Sequence, residues 1–152
     1  MSPSRRPPTL LTQPSYLASQ VSKYGRRLIE NALAERNLAL VHYAALTALD
    51  ELGPLSQQEL AAALDFDKSH LVAHIDLLEE RGLVKRVRDP GDRRRNQLHI
   101  TNAGQVLVAE LHPVGARSQE GLLDVLTPDE QAMLVSLLRR VLESNDAARA
   151  SR

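Results

Sequence analysis

Apolar residues recur along this chain first at helical and then at strand spacing, and the switch between the two locates its elements. From Ser15, the residues Leu17, Val21, Tyr24, Leu28 and Ala32 follow one another at three- and four-residue steps, while Lys23, Arg26, Arg27 and Glu30 fall elsewhere. That spacing predicts a long first helix. A second helix is predicted from Leu38 to Glu51, ended by Gly53 and Pro54, a left-handed cap followed by a residue that cannot continue a helix. Ser56-Gln57-Gln58-Glu59 has the form of a capping box and predicts a short helix to about Leu64. Asp67 is a suitable cap for the next helix, and Asp tolerates the left-handed backbone of a tight turn. That next helix should bury Leu71, Ile75 and Leu78 and stop at Gly82, with Leu83 closing the cap. Two short helices around such a turn make a helix-turn-helix.

The period then changes. Leu83 to Arg88 and Gln97 to Thr101 predict two strands around the turn-rich stretch from Asp89 to Asn96, with Leu98 and Ile100 facing in and Gln97 and His99 facing out. Pro90 and Gly91 should set the turn. Thr101 caps a predicted helix over 102–120, which Pro113 should kink or interrupt. Thr127-Pro128-Asp129-Glu130 opens the last helix, with an apolar stripe of Met133, Leu134, Leu137, Leu138, Val141 and Leu142. Pro3, Pro7, Pro8 and Pro14 make residues 1–14 a flexible N-terminal arm, and residues 146–152 a frayed tail is expected to follow. The fold class is therefore mostly α (α+β): a winged helix-turn-helix lobe over 53–101, with helical regions over 15–52 and 102–145. The stripes of the first and last helices exceed what one small lobe can cover, which predicts a homodimer built through these N- and C-terminal helices.

Composition narrows the function. The 19 Lys and Arg balance 19 Asp and Glu, so affinity for a polyanion has to be local. There is no cysteine, which excludes thiol nucleophiles, thiol redox switches and cysteine zinc sites. No apolar run reaches the ~20 residues of a membrane span and the N-terminus lacks a secretory stretch, so a cytoplasmic protein without membrane contact is expected. Between Arg81 and Arg95, however, seven basic residues face only Asp89 and Asp92. A basic hairpin beside a helix-turn-helix is the electrostatic footprint of a DNA-binding surface.

The stretch from Leu60-Ala61 through Leu78-Glu79-Glu80-Arg81-Gly82-Leu83-Val84, then Arg88-Asp89-Pro90-Gly91-Asp92-Arg93-Arg94 and Ile100-Thr101-Asn102-Ala103-Gly104, resembles the MarR family of transcription regulators. The sharpest element is Asp-Pro-x-Asp-Arg-Arg followed by Thr-x-x-Gly. The resemblance spans about residues 15–145. It implies that the first helix and the last two form the dimer interface and that the wing enters the minor groove. It also implies double-stranded DNA as partner, in the form of an inverted-repeat operator, and a small aromatic or phenolic ligand held between the dimer helices and the DNA lobe.

Residue chemistry assigns candidate roles. In the wing, Arg88, Arg93, Arg94 and Arg95 are candidates for the minor groove, whose negative potential draws arginine. Asp92 is read as shaping the wing by pairing with an arginine such as Arg88. In the recognition helix, Lys68, Ser69, His70, Val72, Ala73 and His74 are expected to face the major groove. Ala73 stands where a basic residue is frequent in the family. Ser56, Gln57 and Gln58 open the preceding helix and could bond phosphate. His70 and His74 have the spacing of a two-histidine metal clamp but no accompanying glutamate, so no metal and no cofactor are assigned. Tyr16, Tyr24, His42 and Tyr43 are candidates to line a ligand pocket, against the plainer reading that they pack in the core or interface. An enzyme is the less favoured alternative because no phosphate loop and no partnered nucleophile are present. A winged helix that serves only as a protein-interaction or dimerisation module would lack the basic wing.

Overall fold

The computed structural model describes residues 5–152. Six helices and a three-stranded sheet follow in the order α1 (Pro14–Ala34), α2 (Leu40–Leu52), β1 (Leu55–Ser56), α3 (Gln57–Ala63), α4 (Lys68–Glu80), β2 (Val84–Arg88), β3 (Asn96–Ile100), α5 (Asn102–Glu120) and α6 (Pro128–Ala150). The local signals act as physics requires. Ser56 Oγ accepts from the Glu59 N–H and the Glu59 carboxylate accepts from the Ser56 N–H, closing the capping box of α3. Asp65 takes the left-handed backbone (φ 48°) between α3 and α4. Asp67 Oδ1 then accepts the Ser69 and His70 N–H groups at 2.8 and 3.4 Å. At the other end of α4, Gly82 has φ 70° and the Leu83 N–H donates to Leu78 O at 2.9 Å, so the helix stops where the strand must start.

The sheet has the order β1-β3-β2 and is antiparallel throughout, with Leu55 opposite Leu98 and Val84 opposite Ile100. The hairpin was legible. Strand β1 was not, because two residues after Pro54 carry no alternation to read. Its pairing makes β3 the central strand, which is why Leu98 is fully buried and why Gln97 and His99 are half-buried rather than free.

One core joins the lobe. Leu46 and Leu49 of α2, Leu60 of α3, Leu71, Ile75 and Leu78 of α4, Val84, Leu98 and Val108 of α5 pack in a single cluster. A smaller cluster of Leu33, Leu38 and Leu111 ties α1 and α5 together. The Thr101-x-x-Gly104 turn bolts the hairpin to α4. Thr101 Oγ1 donates to Gly82 O at 2.6 Å and accepts from the Gly104 N–H at 3.1 Å. A Cβ on Gly104 would collide with the Leu83 carbonyl oxygen and come within 2.6 Å of Ile100 Cγ1, so only glycine allows this approach.

Three expectations are corrected. Residues 1–4 of the expected arm lie outside the described residues, but Leu10–Thr12 form a 3₁₀ turn and Pro14 opens α1 as its first residue, a position that needs no N–H donor. Arg6 also donates to Tyr16 Oη at 3.1 Å and Gln20 Oε1 at 2.8 Å. Pro113 does not interrupt α5. Its ring is exposed, on a side where water can satisfy the carbonyl that loses its donor. Finally, α6 continues through the expected tail to Ala150, carried by the helix formers Ala147, Ala148 and Ala150 and by an Arg149–Asp65 contact of 3.1 Å.

Candidate nucleic-acid interface

Helix α4, the expected recognition helix, lays Leu71, Ile75 and Leu78 on the core. Opposite them Lys68, His70, Val72 and Ala73 are exposed, which places four of the six expected residues on the free side of the helix. Ser69 is also exposed, but its hydroxyl donates to Asp67 Oδ1 and so completes the cap. The Ser69 hydroxyl, together with the Ser69 and His70 N–H groups, holds the Asp67 carboxyl below its usual range.

His74 is a correction. Its Nδ1 lies 3.0 Å from His42 Nε2, and its ring meets Phe66 edge-on at 6.0 Å. The reason is helical geometry: His74 stands three residues after Leu71 and four before Leu78, so it belongs to the buried stripe. His74 Nδ1 is thereby engaged by His42, while His70 stays exposed. Among the described residues no group of three or more His, Asp or Glu is placed to hold a metal ion.

The wing is organised by its backbone. The Asp89 N–H donates to Arg95 O at 2.9 Å, and the Arg95 N–H donates to Asp92 O at 3.0 Å. Asp92–Arg95 is therefore a β-turn with Arg93 and Arg94 at its two central positions. Asp92 Oδ1 accepts the Arg94 N–H at 2.9 Å, an Asx turn that fixes the tip. Asp92 thus shapes the wing through the backbone, and among the described residues it makes no ion pair with Arg88. Pro90 and Gly91 do not form the tip turn; the Gly91 N–H donates to Asp89 Oδ1 one step earlier. Arg88, Arg93, Arg94 and Arg95 are exposed, and none of them enters an ion pair among the described residues.

Arg86 behaves differently, and sequence reading missed its role. Its guanidinium is only 20% exposed and reaches Asp76 Oδ1 at 2.7 Å and Glu79 Oε1 at 2.8 Å, while Nε donates to Gln57 Oε1 at 3.4 Å. One arginine of β2 therefore joins the wing to both helices of the helix-turn-helix and is not free for DNA. The available signal was strand alternation, which puts Arg86 on the same face as the apolar Val84 two positions earlier. Gln57 is engaged by that contact and Ser56 by its capping box, which leaves Gln58 as the exposed polar side chain at the start of α3. Bonds from the Ser56 backbone and side chain hold the Glu59 carboxyl below its usual range, keeping this box charged.

The expected ligand-pocket residues do not converge. Tyr16 bonds Arg6, Tyr24 is 58% exposed, and Tyr43 Oη lies 2.9 Å from His112 Nδ1. His42 is buried in the lobe, with Nδ1 accepting the Ala39 N–H at 2.9 Å. A different cavity of about 370 Å³ lies along α1 and α5, lined by Val21, Ser22, Ile29, Leu40, Gln119 and Leu122 among others. No helix of the described residues is long and apolar enough to cross a membrane.

The sequence profile of the MarR family matches residues 36–95, which run from the end of α1 through the wing tip. A Thauera aromatica protein, named for a role as transcriptional regulatory protein for the hcr operon, is 35% identical over 97 residues. The match takes in 64% of this chain and 58% of the length of that relative. A crystal structure of MarR superposes with a TM-score of 0.84 at 26% identity, covering 100% of this chain and 99% of that one. A mutant MarR from E. coli complexed with operator DNA gives a TM-score of 0.74 at 27% identity over 84% of this chain and 92% of that one. BpsR of Bordetella bronchiseptica, whose DNA binding is regulated by 6-hydroxynicotinic acid, gives 0.75 at 25% identity over 85% and 92%. Profile, relative and fold agree in likeness: the chain is similar to the MarR family of winged helix-turn-helix proteins.

Proposed function

We propose that this chain is a cytoplasmic transcription regulator that binds double-stranded DNA sequence-specifically as a homodimer, represses from an inverted-repeat operator and is released by a small aromatic or phenolic ligand. The observation that carries this reading is the wing tip. Arg93 and Arg94 occupy the central turn positions with no competing carboxylate, beside a helix whose first turns expose Lys68 and His70. Cations held outward on a narrow hairpin suit a minor groove, and a helix N-terminus suits the adjacent major groove. The family and fold are those of transcription regulators rather than enzymes.

Dimerisation is supported by what α6 lacks. None of its residues is buried within the chain. Met133, Val135, Leu137, Leu138, Val141 and Leu142 are 44–62% exposed, and Leu17, Val21, Tyr24 and Leu28 of α1 are 40–58% exposed. Faces of that size are covered in solution by a second copy. For the ligand, the cavity between α1 and α5 offers apolar walls with Ser22 and Arg26 at hand.

The test is titration of the protein against duplexes selected from a random pool, with one and two half-sites. Full affinity is expected only with two half-sites about one helical turn apart, and the log-log salt slope should be steeper than about −4. A flat salt response, or a monomer by sedimentation at micromolar concentration, would sink the reading.

A further inference from the structure

Two histidines connect the lobe's scaffold to its recognition helix. His42 of α2 and His74 of α4 are 32 positions apart in the chain, and their rings meet at 4.9 Å between centroids with a 3.0 Å contact from Nε2 to Nδ1. The tautomers follow from the bonds. His42 Nδ1 accepts the Ala39 N–H at 2.9 Å, so its proton in the neutral form sits on Nε2. That Nε2–H has to donate to His74 Nδ1, which places the neutral His74 proton on Nε2. The chain of donors therefore runs in one direction, from the Ala39 backbone through His42 to His74.

We propose that His42 and His74 are a positioning pair that sets the angle of the recognition helix against α2, and that uptake of one proton breaks the pair and weakens DNA binding. Either ring can accept a proton only at Nδ1, and both Nδ1 atoms are already acceptors. A proton on His42 Nδ1 expels the Ala39 N–H that opens α2. A proton on His74 Nδ1 sets two N–H groups against each other across the helix contact.

The surroundings offer no compensation. From α4, His74 and Arg81 face His42, and both oppose a positive charge there. From the α3–α4 turn, Phe66 faces His74. Tyr43, next to His42, turns instead to His112 of α5. Among the described residues no carboxylate pairs with either ring. Burial, then His74, then Arg81, push His42 from 6.5 down to about 4. A histidine depressed in the fold binds fewer protons than it does unfolded, so its contribution is present above about 6.5 and is lost as pH falls toward 4.

This inference rests on the regulator reading for its effect on DNA, but the pair itself can be tested without DNA. Long-range ¹⁵N–¹H spectra of the wild-type protein at about pH 7.5 should show His42 as the Nε2–H tautomer; an Nδ1–H tautomer would overturn the assignment. The informative variant is His74→Asn, whose amide oxygen can stand where Nδ1 accepts but does not take a proton in this range. With a duplex selected against the wild type, and ionic strength held constant, the wild type should lose about two-fold more affinity than His74→Asn between about pH 7.5 and about pH 4, where about half of the pairs would hold the extra proton. His70, exposed one turn earlier, is present in both proteins and cancels from that ratio. The wild-type melting temperature should also fall further than that of the variant over the same interval. Equal pH responses in affinity and melting would overturn the proposal. If the wild type binds no duplex at about pH 7.5, the regulator reading fails, and the tautomer and melting curves still decide the pair.

Discussion

The recognition helix and the wing carry the same expected role but are held by opposite means. Helix α4 is fixed by packing: a cap at Asp67, a stripe of Leu71, His74, Ile75 and Leu78 against the core, and a glycine stop at Gly82. Packing decides which of its side chains are left over, and it takes His74, while the cap takes the Ser69 hydroxyl. The wing has no buried residue between Lys85 and Gln97. The shape of its tip comes from backbone bonds and two Asx turns, so the tip side chains remain available by default, while Arg86 nearer the base is taken by Asp76 and Glu79. A helix loses candidate contacts to its core. A hairpin tip loses them only to nearby charges, and here Asp89 and Asp92 spend their oxygens on backbone N–H groups.

The contrast can be broken most strongly where the two regions join. Gly104→Ala drives a methyl into the Leu83 carbonyl, at the point where α4 ends and β2 begins. It should cost about 2–3 kcal/mol of unfolding free energy by urea titration and disturb helix and wing together. A change below about 0.5 kcal/mol would mean that the junction yields easily.

Next comes a change confined to the wing. Arg94→Ala should leave the melting temperature unaltered, because the tip buries nothing, yet weaken operator binding about ten-fold, most of all on A·T-rich flanks. Equal, small losses for Arg93→Ala and Arg94→Ala on every flank would reduce the basic run to a solvated loop.

Arg86→Gln tests the link itself. Loss of the contacts to Asp76 and Glu79 should cost about 1 kcal/mol, since both carboxylates are half-exposed and the pair is screened. Its effect on DNA should be indirect: weaker binding across all sequences with an unchanged salt slope, because this cation is already neutralised. A slope reduced by about one would instead mark Arg86 as a phosphate contact.

The smallest effect is expected from Lys68→Ala on the exposed first turn of α4. Affinity should fall about three-fold on all duplexes, with the salt slope reduced by about one and stability within about 0.5 kcal/mol of wild type. A loss concentrated at one base pair would show that the helix reads sequence through this residue.

Most of the fold was legible in the sequence because its signals are local. Capping boxes at Ser56 and Thr127, the left-handed turn at Asp65, the glycine stop at Gly82 and the Asp-Pro-x-Asp-Arg-Arg hairpin each act over a few residues, where backbone donors and allowed φ leave few choices. The wing arginines were legible for the same reason: a turn in a polar stretch has nowhere to hide a side chain. Even the place of His74 was written in its i+3 and i−4 spacing from two core leucines, had periodicity been weighed above polarity.

What only the tertiary structure decided involves partners far apart in the chain. Strand β1 exists because Leu55 finds Leu98. Arg86 becomes a clamp because Asp76, Glu79 and Gln57 arrive from two other elements. Tyr16, His42 and Tyr43 find three different partners, Arg6, His74 and His112. Periodicity states that a side chain will be buried but not beside what, since the choice among partners is made by the closing of long loops and the packing of whole faces. The juxtaposition of His42 and His74 is such a choice, made when α2 and α4 close on one core and leave two imidazoles to satisfy each other.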